Sequence, residues 1–263
     1  MNDLELEFEV KKPRRLRFDW LVSVFVKPQK AFKEIVEEDH PVWLAPLLIL
    51  SGLALILVLI SAPIKTQAAA INGSTLPPDY QYYSPEQQQQ MQDALSSSSG
   101  PIFTTIFPLV GSLAEIWIGW LLLGSILHLI LTLGGSRSSN RAALNMTAWA
   151  SMPLALRYIV QSIAVLTTHQ LINGQGLSGL FGADVTGLTL FVKAIAGFID
   201  IYFLWRVILM LVAVIPLANL SKARSWAATI FAIVLLLVLQ AVPQLLSASL
   251  GGLSSGSGMF FFF

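Results

Sequence analysis

The sequence has no cysteine, which excludes disulfides, thiolate metal sites and thiol catalysis together. It is also poor in charge. Only 12% of its 263 residues are Asp, Glu, Lys or Arg, against about 25% in an ordinary soluble domain. Sixteen basic residues oppose fifteen acidic ones, a net charge of +1. That leaves no basic surplus to neutralise a phosphate backbone, so nucleic acid is not expected as a partner. Histidine is scarce as well. His40, His128 and His169 fall in three separate segments, each reads as a packing or interfacial residue, and no zinc-protease or phosphate-loop motif accompanies them. No metal and no cofactor is called for. Hydrophobic residues take the place of charge, at 55% of the chain with a mean hydropathy of +0.69. A soluble globular enzyme is not the expectation from this composition.

The apolar residues are grouped in long runs. A helix needs about 20 mostly apolar residues to cross a bilayer core of about 30 Å. Five stretches qualify: Pro41 to Ile64, Ile102 to Leu133, Leu144 to Leu166, Thr189 to Leu220, and Trp226 to Leu246. The expected fold class is therefore all-α: a polytopic membrane protein, a five-helix transmembrane bundle with an N-terminal amphipathic helix pair. Residues 1–40 form a cytoplasmic N-terminal segment, residues 41–250 the membrane domain with an external Gln- and Ser-rich loop at 65–101, and residues 251–263 an external tail. The opening MNDLELEFEV is acidic, unlike the basic start of a secretory signal, so the first span reads as a retained anchor.

Lys and Arg near span ends set orientation. The segments that share one side under five spans hold Lys11, Lys12, Arg14, Arg15, Arg17, Lys27, Lys30, Lys33, Arg137, Arg141, Lys222 and Arg224, whereas the other side holds Lys65 and Lys193. This bias places the N-terminus in the cytoplasm and the C-terminus outside, in the cell's inner (cytoplasmic) membrane. Phe18 to Val36 is amphipathic, and Pro28 suits the first turn of a second short helix. Arg14, Arg15, Arg17, Lys27, Lys30 and Lys33 then form a basic membrane-surface segment facing an anionic inner leaflet. The same apolar face could equally pack on the loops of its own bundle. In the 65–101 loop, Ser84, Pro85 and Gln87 have the spacing of an N-cap, N1 proline and N3 partner, which predicts a surface helix over about Pro85 to Leu95. The 168–188 loop is Gly-rich, and so either flexible or closely packed on span ends.

Within that loop GQGLSG at 174–179 fits a dinucleotide-binding spacing, but no strand precedes it. Ser178 sits in a glycine-flanked pattern used by intramembrane serine proteases, but no histidine follows it to act as base. Neither reading stands, and no catalytic residue is expected. The charges inside the spans matter more, because each costs at least about 2.5–3.5 kcal/mol at a helix centre. Glu115, Arg157 and Arg206 are read near mid-depth, with Asp200 nearer the outside. Two acids and two bases suggest pairing: Glu115 with Arg157 or Arg206, and Asp200 with the remaining arginine or with Lys193. Such a network serves either as interhelical glue or as a proton or ion relay.

The order of features is similar to a known family. KPQKAFKEI precedes a span containing PVWLAPLLIL; LLLGSILHLILTLGG is followed by SRSSNRAALNMTAWASMPLAL; and NLSKARSWAATIFAIVLLL opens the last span. Gly134-Gly135, Pro153 and the Lys222-Ala223 junction are the matching points. Over about Phe18 to Leu246 this resembles the Yip1 domain family in its prokaryotic form. The resemblance implies five helices, a cytoplasmic N-terminus and no catalytic residues. The aspartate-leucine-tyrosine-glycine-proline-type motif of eukaryotic members is absent, since the region reads DHPVWLAP, so their role with Rab-type GTPases does not carry over. Prokaryotic relatives look like accessory membrane proteins, some working with exporters. The resulting expectation is a non-enzymatic accessory or scaffold subunit with a membrane-protein partner. A small-solute or ion transporter using Glu115, Arg157, Asp200 and Arg206 is the alternative.

Overall fold

Pro28 cannot extend a preceding helix but suits a first turn, and it divides the N-terminal segment into α1 (Trp20–Val26) and α2 (Pro28–Glu37). The computed structural model describes residues 16–73, 79–172, 175–182 and 185–253, so Arg14 and Arg15 lie outside the described residues. The two short helices fold back on each other. Arg17 Nη1 donates to Glu38 at 3.0 Å, and Trp20 Nε1 donates to Glu34 at 3.1 Å. Arg17 also bonds Asp19 and lies 3.9 Å over the Trp20 ring. The hydrogen bond to Asp19 holds its guanidinium above the ordinary arginine range.

All regular structure among the described residues is helical. After the hairpin come α3 (Leu44–Gly73), a surface helix α4 (Pro85–Ser98), and α5 (Phe107–Leu133), which a π-helical turn at Ile102–Ile106 introduces. Then follow α6 (Asn140–Ala150), α7 (Pro153–Thr168), α8 (Gly187–Phe198), α9 (Ile201–Ala218) and α10 (Lys222–Leu253). Five segments are long and apolar enough to cross a membrane: Leu44–Ala69, Ile102–Leu133, Asn140–Thr168, Ile201–Ala218 and Lys222–Pro243. The chain is a multi-pass helical membrane protein.

Most span ends lie within five residues of the apolar runs in the sequence, but two spans are broken or cut short. The third starts earlier, at Asn140, and is jointed where Pro153 removes a helix donor and Ser151 caps α6. The fourth is shorter than Thr189 to Leu220. Asp200 has extended backbone and its carboxylate accepts from the Phe203 amide at 2.8 Å, so it caps α9 and ends the helix before it. α8, with 12 residues, is about 18 Å long and cannot cross alone. Apolar periodicity does not register such a cap, because one carboxylate is enough to divide an otherwise continuous run. Lys193 consequently falls outside the fourth span. The helix after Ser84 does form, with a complete capping box to Gln87, and runs to Ser98.

The spans are staggered. Trp43, just before α3, lies 4.8 Å from Trp120. Trp120 stands thirteen residues before the end of α5, so α3 begins about 20 Å short of that end. The hairpin takes up the vacant length. α2 packs on α6 and α9, and Trp20, Val24, Phe32 and Ile35 are fully or nearly fully buried. The apolar face of the hairpin thus meets spanning helices rather than loops. Asn145 on α6 locks the connection: its Oδ1 accepts from Val42 N–H at 2.9 Å and its Nδ2 donates to His40 O at 3.0 Å, while Trp149 Nε1 donates to Val42 O at 3.0 Å. Close approach of α5 and α6 depends on Gly124, where a Cβ would stand 2.6 Å from Leu144.

Candidate functional site

Polar side chains from four elements converge where the staggered helices cross. Glu115 comes from α5, thirteen residues after Ile102 and eighteen before Leu133, about 20 Å and 27 Å from those ends. Arg157 and Tyr158 come from α7, Arg206 from the second turn of α9, and Gln240 from α10. Asp200 marks the joint between α8 and α9. The short fourth span moves Arg206 away from mid-span, to five residues after Ile201.

The structure divides these charges unequally. Arg157 and Asp200 form an ion pair, Nε to Oδ2 at 3.1 Å, with side chains only 16% and 18% exposed. The Nε–H is not aligned on that oxygen, so the contact is electrostatic in character. Arg157 Nη2 also donates to Gln175 at 3.1 Å. Lys193 does not join them; its ammonium donates to Gly182 O at 2.7 Å. Glu115, expected to pair with an arginine, makes no ion pair within 4 Å among the described residues, although it shares a cavity with both Arg157 and Arg206. Arg206 Nε is buried without a hydrogen-bond partner. Two adjoining cavities of about 50 Å³ each take up the space, and Glu115, Arg206, Leu154, Leu236 and Gln240 line both. Each has room for a few water molecules. Glu115 itself is exposed, so the space has an open side.

The Gly-rich loop takes part in this site. Gln175 reaches Arg157, and Leu177 N–H donates to Ile199 O at 3.0 Å, at the end of α8. Between them Gly176 has φ +56°, and a Cβ there would lie 2.6–2.8 Å from the carbonyl oxygens of Ile199, Gly197 and Ala196. A 3₁₀ turn at Gly176–Leu180 thus covers the carbonyl end of α8 where the helix stops. This close approach explains Gly176 of the GQGLSG run, whose Gly174 lies outside the described residues. Its glycines and the buried arginine were the only sequence signals for it; the contact to Ile199 is not readable from the chain.

The other singled-out residues lie apart. Lys27, Lys30 and Lys33 are exposed on the hairpin, with Lys30 4.0 Å from Glu34. His40 stands 3.5 Å from Glu38, His128 has a buried Nδ1 with no partner, and His169 ends α7 in left-handed geometry. Among the described residues no group of three His, Asp or Glu could hold a metal ion. The arrangement defines a class: a multi-pass helical membrane protein with a polar joint inside its bundle. Residues 22–242 match the Yip1 domain, and the chain belongs to that family. No curated protein and no solved structure matches it.

Proposed function

We propose that the protein is a non-enzymatic membrane subunit that scaffolds or assists a membrane-protein partner, and that the partner docks on the hairpin. The observation that supports this is the mixed surface of α1–α2. One side is locked into the bundle. The other exposes Phe18, Val22 and Val26, 53%, 70% and 67% accessible, beside exposed Lys27, Lys30 and Lys33. An apolar patch rimmed by charge is characteristic of an interaction site, and the basic rim selects an acidic apolar face. The Lys and Arg bias supports a reading in which this end of the bundle lies on the cytoplasmic side of the inner membrane. A photo-crosslinker at Val22, in the full-length protein in native membranes, should capture a discrete membrane protein. Capture should be lost when Lys27, Lys30 and Lys33 are changed to Glu. Crosslinks to phospholipid alone would mean that anionic headgroups cover the hairpin, and the docking reading would fall.

The transport reading keeps one specific observation in its favour. Transporters bind substrates where spanning helices are discontinuous, and the α8–α9 joint, Glu115 and Arg206 meet in that way. Vesicles containing the purified protein would need to show solute flux that Glu115→Gln abolishes; flux indifferent to that change would remove this reading.

A further inference from the structure

The cavity between Glu115 and Arg206 has a charge pattern of its own. The charge of Arg157 is balanced by Asp200 at 3.1 Å and its Nη2 donates to Gln175 at 3.1 Å, although its buried Nε, on the rim of the first cavity, makes no hydrogen bond. Glu115, Arg206 and Gln240 lack such partners. Among the described residues the Glu115 carboxylate and the Gln240 amide have no hydrogen bond, and Arg206 Nε is buried and unpaired. The three come from α5, α9 and α10 and border the same two cavities. Buried polar groups are normally satisfied; the buried Arg206 Nε is not, and with the part-buried Gln240 and the Glu115 carboxylate on the same space it points to something that fills it.

From this geometry we infer a binding site for a small zwitterion, with its ammonium group at Glu115, its anionic group at Arg206, and Gln240 donating or accepting between them. The signs decide the class. A simple anion would meet Glu115, and a simple cation would meet Arg206. Only a molecule carrying both charges a few bonds apart satisfies both without leaving a like charge opposed. The size agrees. A cavity of about 150 Å³ accommodates benzene, so two of about 50 Å³ each accept a group of about five heavy atoms. That chemistry occurs in a free amino acid such as glycine and at the ammonium end of a phosphatidylethanolamine headgroup. The exposed side of Glu115 leaves the space open at that edge of the bundle. The site is independent of docking at the hairpin, and its failure would leave that reading untouched.

The test uses the full-length protein in nanodiscs. In phosphatidylglycerol discs, glycine, acetate and methylammonium are titrated calorimetrically. In discs of equal phosphatidylethanolamine and phosphatidylglycerol, native mass spectrometry reads which lipid is retained. A free ligand is indicated if glycine binds at least about tenfold more tightly than either half-molecule. A lipid is indicated if phosphatidylethanolamine is retained by the same margin. In either case Glu115→Gln, which keeps the shape and removes the charge, should abolish the preference, and Gln240→Leu should weaken it. If neither zwitterion is preferred, water alone fills the space and the inference is overturned. It is likewise overturned if the preference survives Glu115→Gln.

Discussion

Asn145 shows how much of the molecule can depend on a polar residue that sequence analysis passed over. It lies on α6, fully buried, and its amide serves the backbone on both sides of Pro41. Replacing it with Leu leaves the Val42 N–H and the His40 carbonyl without partners. The buried Val42 N–H left unsatisfied costs about 1–3 kcal/mol and the part-buried His40 carbonyl less, so Asn145→Leu should lower stability by about 1–4 kcal/mol, measured by denaturation in detergent. A loss under 0.5 kcal/mol, on the order of a neutral surface change, would mean that the connection to α3 is held by other contacts. The Arg157–Asp200 pair makes a separate prediction. Removing one partner strands a charge, at about 3–5 kcal/mol for a buried pair. Arg157→Leu and Asp200→Asn should each destabilise the fold, and the double variant should recover part of the loss. Asp200→Asn retains the N-cap, so the double variant isolates the charge. Strict additivity in the cycle would show that the two side chains do not interact.

At the scale of helices, the breaks carry the information. The Ser84-Pro85-Gln87 cap was legible because a capping box is local: its donors and acceptors lie within four residues. The α8–α9 joint was not legible, because Asp200 sits within apolar sequence on both sides and its cap needs only its own carboxylate and one amide. The turn that covers the joint was less legible still, since Gln175 and Ile199 meet only in three dimensions. Gly176 tests this joint. Any side chain there faces three carbonyl oxygens and a left-handed backbone, and that conformation alone costs about 1–2 kcal/mol. Gly176→Ala should therefore destabilise by more than this amount and open the Leu177–Ile199 hydrogen bond, read as faster amide exchange at Leu177. Gly52→Ala, in α3 with nothing within 4 Å of a Cβ, should be neutral or mildly stabilising. Equal effects at the two glycines would refute the close approach.

For the whole molecule, hydrophobic length revealed the five crossings, because the bilayer sets that length and the chain has to match it. It could not reveal the stagger, since where one helix starts along another depends on contacts such as Trp43 on Trp120. The three crossings between α4 and the α9–α10 turn have a consequence that can be measured. The turn between α9 and α10, on the hairpin side of the bundle, and α4, on the far side, must face opposite aqueous phases. The chain has no cysteine of its own, so one introduced thiol reports without background. Ser221 and Gln90 are both exposed and belong to these two regions. With the orientation proposed from the Lys and Arg bias at Arg137, Arg141, Lys222 and Arg224, a membrane-impermeant maleimide should label Gln90→Cys directly in intact cells and Ser221→Cys only after permeabilisation. The reverse pattern would keep the three crossings and invert the orientation. Labelling of both sites from one side would mean that one of the three segments between them does not cross, the jointed third segment, with its buried Asn145, Thr147 and Ser151, being the weakest of them.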